Sequence, residues 1–114
     1  EDLILGINIE GKNAITNIDS ILENSNIDLF FIGLFDLSKS IGIPGDVNNP
    51  LVLNELKKIT KKIKSKGKFV GTIATDEQNI SMFYNLGIDF LLYHVDSSVL
   101  KKAFSSAVNK FKNL

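Results

Sequence analysis

Four short apolar runs, at residues 3–9, 29–33, 69–74 and 90–95, are each followed by apolar residues at helical spacing, and no hairpin signal joins any two of them. Ala14, Ile15, Ile18, Ile21 and Leu22 form the first helical stripe, with Asn13 as its expected N-cap. A loop containing Gly42, Pro44, Gly45 and Asn48 leads to the second helix, where Asn49 caps and Pro50 takes the first position. Leu53, Leu56, Ile59 and Ile63 mark its apolar face, and Gly67 ends it. Thr75 and Gln78 have capping-box spacing ahead of Ile80, Phe83 and Leu86, with Gly87 at the close. Ser97 is placed to cap the last helix, whose stripe is Leu100, Ala103, Phe104, Ala107, Val108 and Phe111.

Alternation of this kind predicts an α/β fold of parallel strands with right-handed crossovers. Strands that are apolar throughout fit a sheet covered on both faces. Two architectures satisfy the pattern: a small open sheet, or four consecutive βα units of a (β/α)8 barrel. A whole barrel takes about 250 residues, so a chain of 114 could supply only half of one. Residues 1–114 are read as a single domain.

Thirteen lysines balance thirteen acids, which sets the chain apart from basic nucleic-acid binders. There is no arginine, hence no bidentate guanidinium grip on a carboxylate or phosphate. Absence of cysteine excludes disulfides and thiolate metal sites. No apolar run approaches the roughly 20 residues of a membrane span. The start, Glu1-Asp2-Leu3, lacks the basic residues of a leader. The expected compartment is the cytoplasm, and the chain opens on a strand as a piece of a longer protein would.

In parallel α/β proteins the chemistry gathers at the carboxyl ends of the strands. Glu10, Asp36, Thr75, Asp76 and Asp96 fall there. Glu10 and Asp36 follow neighbouring strands, which lie about 4.8 Å apart, so their carboxylates can share a cation. Oxygen-only ligation favours Mg²⁺ or Mn²⁺. The plainer reading makes these acids helix caps or solvated charges. It suits Asp76, which opens its helix at once, and leaves Asp96 open. It suits Glu10 less, because the next helix is expected to start near Asn13. His94, the only histidine, is either a general base at the mouth of the barrel or a structural residue. Gly42-Ile43-Pro44-Gly45 has no recognised phosphate-loop spacing, and the lysines from 57 to 66 read as a solvated helix face.

Ile9-Glu10, Ala14 to Asp19 and Phe31-Ile32-Gly33-Leu34-Phe35-Asp36-Leu37-Ser38 together resemble the HpcH/HpaI aldolase family, metal-dependent pyruvate aldolases related to citrate lyase β chains. Ser40, Gly42, Pro44-Gly45, Gly67-Lys68, Gly71 and Asp96 continue the match in one register over essentially the whole chain. The resemblance implies strands five to eight of a (β/α)8 barrel, with Glu10 and Asp36 as the carboxylates that hold Mg²⁺ or Mn²⁺. Asn8 would stand near the bound 2-oxo acid, in place of the family's glutamine. Backbone amides around Gly33, Leu34 and Phe35 would help hold its carboxylate. In such enzymes the ion chelates pyruvate and stabilises its enolate.

Two departures bear on activity. The family's Pro-Ala before the metal aspartate is here Leu34-Phe35, and Phe35 would narrow the substrate pocket. The Gly-Ser before the last aspartate is here His94-Val95. The family's catalytic arginine and His-Asp base belong to the first half of the barrel, so this segment alone is not expected to catalyse. The resemblance implies a metal-dependent aldolase or lyase acting on a 2-oxo acid and an aldehyde. The alternative is a non-catalytic aldolase-like binding or structural domain; an open-sheet receiver domain fits less well, since Glu10 has no neighbouring acid. Exposed strand edges and the Phe104/Phe111 stripe predict a homo-oligomer, alongside a missing N-terminal half-barrel.

Overall fold

The computed structural model describes residues 3–114; Glu1 and Asp2, where the reading against a leader begins, lie outside the described residues. Four strands, β1 (Gly6–Ile9), β2 (Leu29–Ile32), β3 (Phe69–Ala74) and β4 (Phe90–Tyr93), form one parallel sheet in sequential order. Gly6 lies level with Leu29, Leu29 with Phe69, and Gly71 with Phe90. The helices are α1 (Gly11–Thr16), α2 (Ile18–Leu22), α3 (Leu34–Ser40), α4 (Pro50–Ser65), α5 (Glu77–Leu86) and α6 (Asp96–Lys112). Sequential parallel strands alternating with helices are the arrangement of a half-barrel.

Side chains alternate across the sheet. Ile9, Phe30, Ile32, Val70, Thr72 and Ala74 point toward the helices and are buried with Leu22, Leu37, Val52, Leu56, Ile59 and Ile63. The opposite face carries Asn8, Leu29, Phe31, Phe69, Phe90 and Leu92 and stands open, with Phe69 48% and Phe90 46% exposed. Phe31 and Phe90 meet edge to face at 6.4 Å across Gly71. A Cβ on Gly71 would come within 2.8 Å of the Phe31 ring.

Local geometry departs from the expected pattern in several places. The first strand begins at Gly6, and residues 3–5 lie outside it. The first helix starts at Gly11, not after Asn13, because Gly11 adopts φ +75°, a turn that a glycine takes at little cost. It is then interrupted at Asn17, whose side chain donates back to the Asn13 carbonyl at 2.9 Å. Asp76, not Thr75, caps α5 by accepting from the Asn79 amide at 3.0 Å. The last helix begins at Asp96, one residue before the expected Ser97 cap. Asn49 caps α4 as expected, accepting from the Leu51 amide at 3.0 Å with Pro50 in the first turn.

The amino ends of the strands are pinned by a repeated device. Asp28 accepts the Leu5 amide at 2.9 Å while its own amide donates to the Leu5 carbonyl. Asp89 does the same with Val70, and its other carboxylate oxygen holds Lys64 at 2.6 Å. Lys68 reaches the carbonyls of Asn24, Ser25 and Ile27, closing the turn below β2. The lysine-rich face of α4 is therefore only partly solvating: Lys62 pairs with Asp19 and Lys66 with Glu23, tying α4 to α2 and the turn after it. Glu23 raises the Lys66 pKa above its usual 10.5.

Thr60 is the one residue among those described whose buried side-chain oxygen lacks a hydrogen-bond partner. A buried hydroxyl left unpaired costs about 1–3 kcal/mol, and valine has nearly the same shape. Thr60→Val is expected to stabilise the chain by about 1 kcal/mol, read as a higher urea midpoint with unchanged slope; a lower midpoint would mean that the hydroxyl has a partner.

No residue of α6 is buried over its 17 residues. The radius of gyration is 16.5 Å, against about 13 Å for a compact chain of this length. In a βα unit the helix normally folds back over its strand, yet Tyr93 on the helix-facing side of β4 remains 40% exposed. Helix α6 thus projects from the body with its apolar stripe unpartnered among the described residues.

Candidate functional site

The parallel register brings the carboxyl ends of β1 and β2 side by side. Ile9 pairs with Ile32, and the Gly33 amide donates to the Ile9 carbonyl at 3.4 Å, which carries the pairing one residue past the end of β2. Glu10 follows Ile9 directly and has the same strand parity as Asn8, so its side chain leaves on the open face. Glu10 occupies the N-cap position of α1 after all, but its side chain makes no cap hydrogen bond. Asp36 lies in the first turn of α3, a helix that begins straight after Gly33. This short helix was not expected from the sequence, where the segment read as strand end and loop.

Both acids turn toward Gly33. The point where a Cβ would stand on Gly33 is 3.6 Å from Asp36 Oδ2 and 3.6 Å from Glu10 Cγ. The two side chains are therefore separated by at most twice that distance, across a space kept clear by the missing methyl. Neither carboxylate makes a side-chain hydrogen bond or ion pair among the described residues. Two unpartnered carboxylates across a glycine gap form an all-oxygen donor set that suits a hard divalent cation. No group of three or more His, Cys, Asp or Glu residues gathers among those described, so other ligands would have to come from water, a bound anion or further protein.

The other candidates divide. Asn8 lines an open hollow of about 380 Å³ with Gly6, Leu29, Phe31, Phe90 and Leu92, on the same face as Glu10. Leu34 is 2% exposed and packs into the core, so only its backbone can meet a ligand there. Phe35 is 61% exposed beside Asp36. His94 lies elsewhere. It follows β4, three strands and about 14 Å from the end of β1 by ordinary strand spacing, and its ring meets Tyr93 edge to face at 5.2 Å. It lines a cleft with Glu77, Lys102 and Ser106, and adopts φ 52°, the left-handed region uncommon for a non-glycine residue.

One residue of the site's frame went unassigned in the sequence. Ser38 is fully buried; its hydroxyl donates to the Phe35 carbonyl at 2.6 Å and accepts from the Gly45 amide at 2.9 Å. Its place in the stretch from Phe31 to Ser38 that carries the family resemblance was the available signal.

A family profile described as HpcH/HpaI aldolase/citrate lyase matches residues 1–103. A 2-keto-3-deoxy-L-rhamnonate aldolase from Klebsiella pneumoniae is 33% identical over 113 residues, which are 99% of this chain and 42% of that protein. A protein of the same description from Salmonella paratyphi B is 33% identical over 100% of this chain and 43% of its own length. The crystal structure of an HpcH/HpaI aldolase from Desulfitobacterium hafniense superposes with a TM-score of 0.89 at 27% identity, covering 97% of this chain and 43% of that one. The chain thus spans about two fifths of the length of the curated relatives it matches.

Proposed function

Since the chain belongs to the HpcH/HpaI aldolase/citrate lyase family, we propose that it forms the metal-carrying half of an aldolase that makes or breaks the carbon–carbon bond next to a 2-oxo acid such as pyruvate. The observation that carries this reading is the convergence of Glu10 and Asp36, both unpartnered, on the gap at Gly33. A divalent ion, Mg²⁺ or Mn²⁺, held there would act as a Lewis acid toward the carboxylate and keto oxygens of the substrate. Glu10 and Asp36 supply the negative charge that holds the ion. Backbone N–H groups at Leu34 and Phe35, in the first turn of α3 with Asp36, would receive the substrate carboxylate, and the Asn8 amide would donate to the same molecule from the open face.

The remaining acid–base groups belong to the proposed N-terminal half-barrel. Support comes from the share of the relatives that this chain covers, from the bare outer edges of β1 and β4, and from an apolar open face that a closed barrel would fill. Relatives described as 2-keto-3-deoxy-L-rhamnonate aldolases support the 2-oxo-acid half of this reading and leave the aldehyde open.

Calorimetric titration with Mn²⁺ tests the centre. Glu10→Gln and Asp36→Asn are each expected to weaken binding about tenfold or more, since each removes half of the protein's charge at the ion. Unchanged affinity in both variants would favour the second reading, a non-catalytic aldolase-like domain, to which the exposed Phe35 beside the site already points.

A further inference from the structure

Phe35 is exposed where an apolar side chain has most to gain from burial, yet its ring has a fixed support. Its Cε2 lies 3.7 Å from the point where a Cβ on Gly45 would stand, so the ring rests on the loop between α3 and α4. Ser38 fastens that loop to the same helical turn, through its hydroxyl to the Phe35 carbonyl and Gly45 amide, and through its carbonyl to the Ile43 amide at 3.0 Å. Both the turn and the loop follow β2 and so stand at the carboxyl edge of the sheet, beside Asp36. One side of the ring is supported; the rest faces outward next to the carboxylate pair.

The wall built this way is poor in hydrogen-bonding groups. Gly42, Pro44 and Gly45 bring no polar side chain, the Gly45 amide is already used by Ser38, and the Ser38 hydroxyl is fully buried. A hydroxylated ligand group arriving here would give up water without a replacement partner, whereas an apolar group would gain by covering the ring. We propose that Phe35, held by Ser38 and the Gly45 loop, is a specificity-determining residue that favours acceptor aldehydes with an apolar or aromatic substituent over polyhydroxylated ones. The proposal rests on the aldolase reading and names the substrate class for it. In that reaction the 2-oxo acid loses a proton from C3 and C3 bonds to the aldehyde carbon. The aldehyde oxygen takes up a proton to become the new hydroxyl, so no oxidant or reductant is needed.

The test uses the complete polypeptide that carries this segment, loaded with Mn²⁺. The ratio of kcat/KM for benzaldehyde to that for glyceraldehyde is measured with pyruvate as donor, in the unaltered protein and in Phe35→Ala and Phe35→Gln. The ratio is expected to fall about tenfold or more in both variants, the scale on which apolar pockets discriminate. Deuterium exchange into the pyruvate methyl group, followed in the unaltered protein without aldehyde, reports separately on the metal half of the chemistry. Exchange with an unchanged ratio in both variants would overturn the role of Phe35 and leave the aldolase reading standing. Absence of exchange would overturn both.

Discussion

Gly33→Ala is expected to leave the chain folded and to weaken Mn²⁺ binding more than tenfold, which is more than about 1.4 kcal/mol. The backbone at Gly33 has φ −77°, a conformation that alanine adopts without strain. The added methyl meets nothing closer than 3.6 Å, so packing is not disturbed. What it does is add bulk 3.6 Å from both Asp36 Oδ2 and Glu10 Cγ, beside the place proposed for an ion and its remaining ligands. A thermal melt alongside the titration separates the two effects: an unchanged melting temperature with lost binding is the expected pair. Full-strength binding in the variant would show that the two carboxylates do not act on one ion through this gap.

Phe104→Glu is expected to weaken any self-association through α6 at least about a hundredfold, as measured by light scattering across a concentration series. Phe104 is 70% exposed and Phe111 78% exposed on a helix that buries nothing of its own. Burying one such ring contributes about 1.5–3 kcal/mol. In a two-fold assembly every substitution counts twice, and a buried carboxylate adds its own desolvation cost. The apolar helix-facing side of β4, where Tyr93 is exposed, would receive such a helix from a second copy. Association held by apolar burial should be little affected by salt. A unaltered protein that stays monomeric at every concentration would mean that α6 finds cover within its own complete chain.

The sheet was legible in the sequence because a buried parallel strand leaves a simple mark, a short run of branched and aromatic residues such as 29–32 or 69–74. The start of α4 was equally clear, since Asn49-Pro50 satisfies two separate requirements of a helix start. Helix α3 was hidden: Leu34, Leu37 and Ile41 have helical spacing, but the segment is seven residues long and has no capping side chain. Thr75 and Asp76 both offered a cap; the capping role read for Asp76, the residue directly before the helix, is the one the structure shows. The Glu10–Asp36 pair stood out because both acids end neighbouring strands. Their relation to Gly33, and the clamp made by Ser38, depend on contacts across the α3 turn that no spacing rule encodes. Asp28 and Asp89 were passed over for the same reason, because each acts on backbone far away in sequence.

Those two aspartates also bear on how such a protein can change over evolutionary time. They fasten the sheet at the amino ends of the strands, together with Lys64 and Lys68. Glu10, Asp36 and Phe35 stand at the opposite edge. A lineage can therefore exchange residues around the proposed centre without touching the anchors of the scaffold. Selection for a new substrate and selection for a folded chain then act on separate sets of positions, and one can drift without endangering the other.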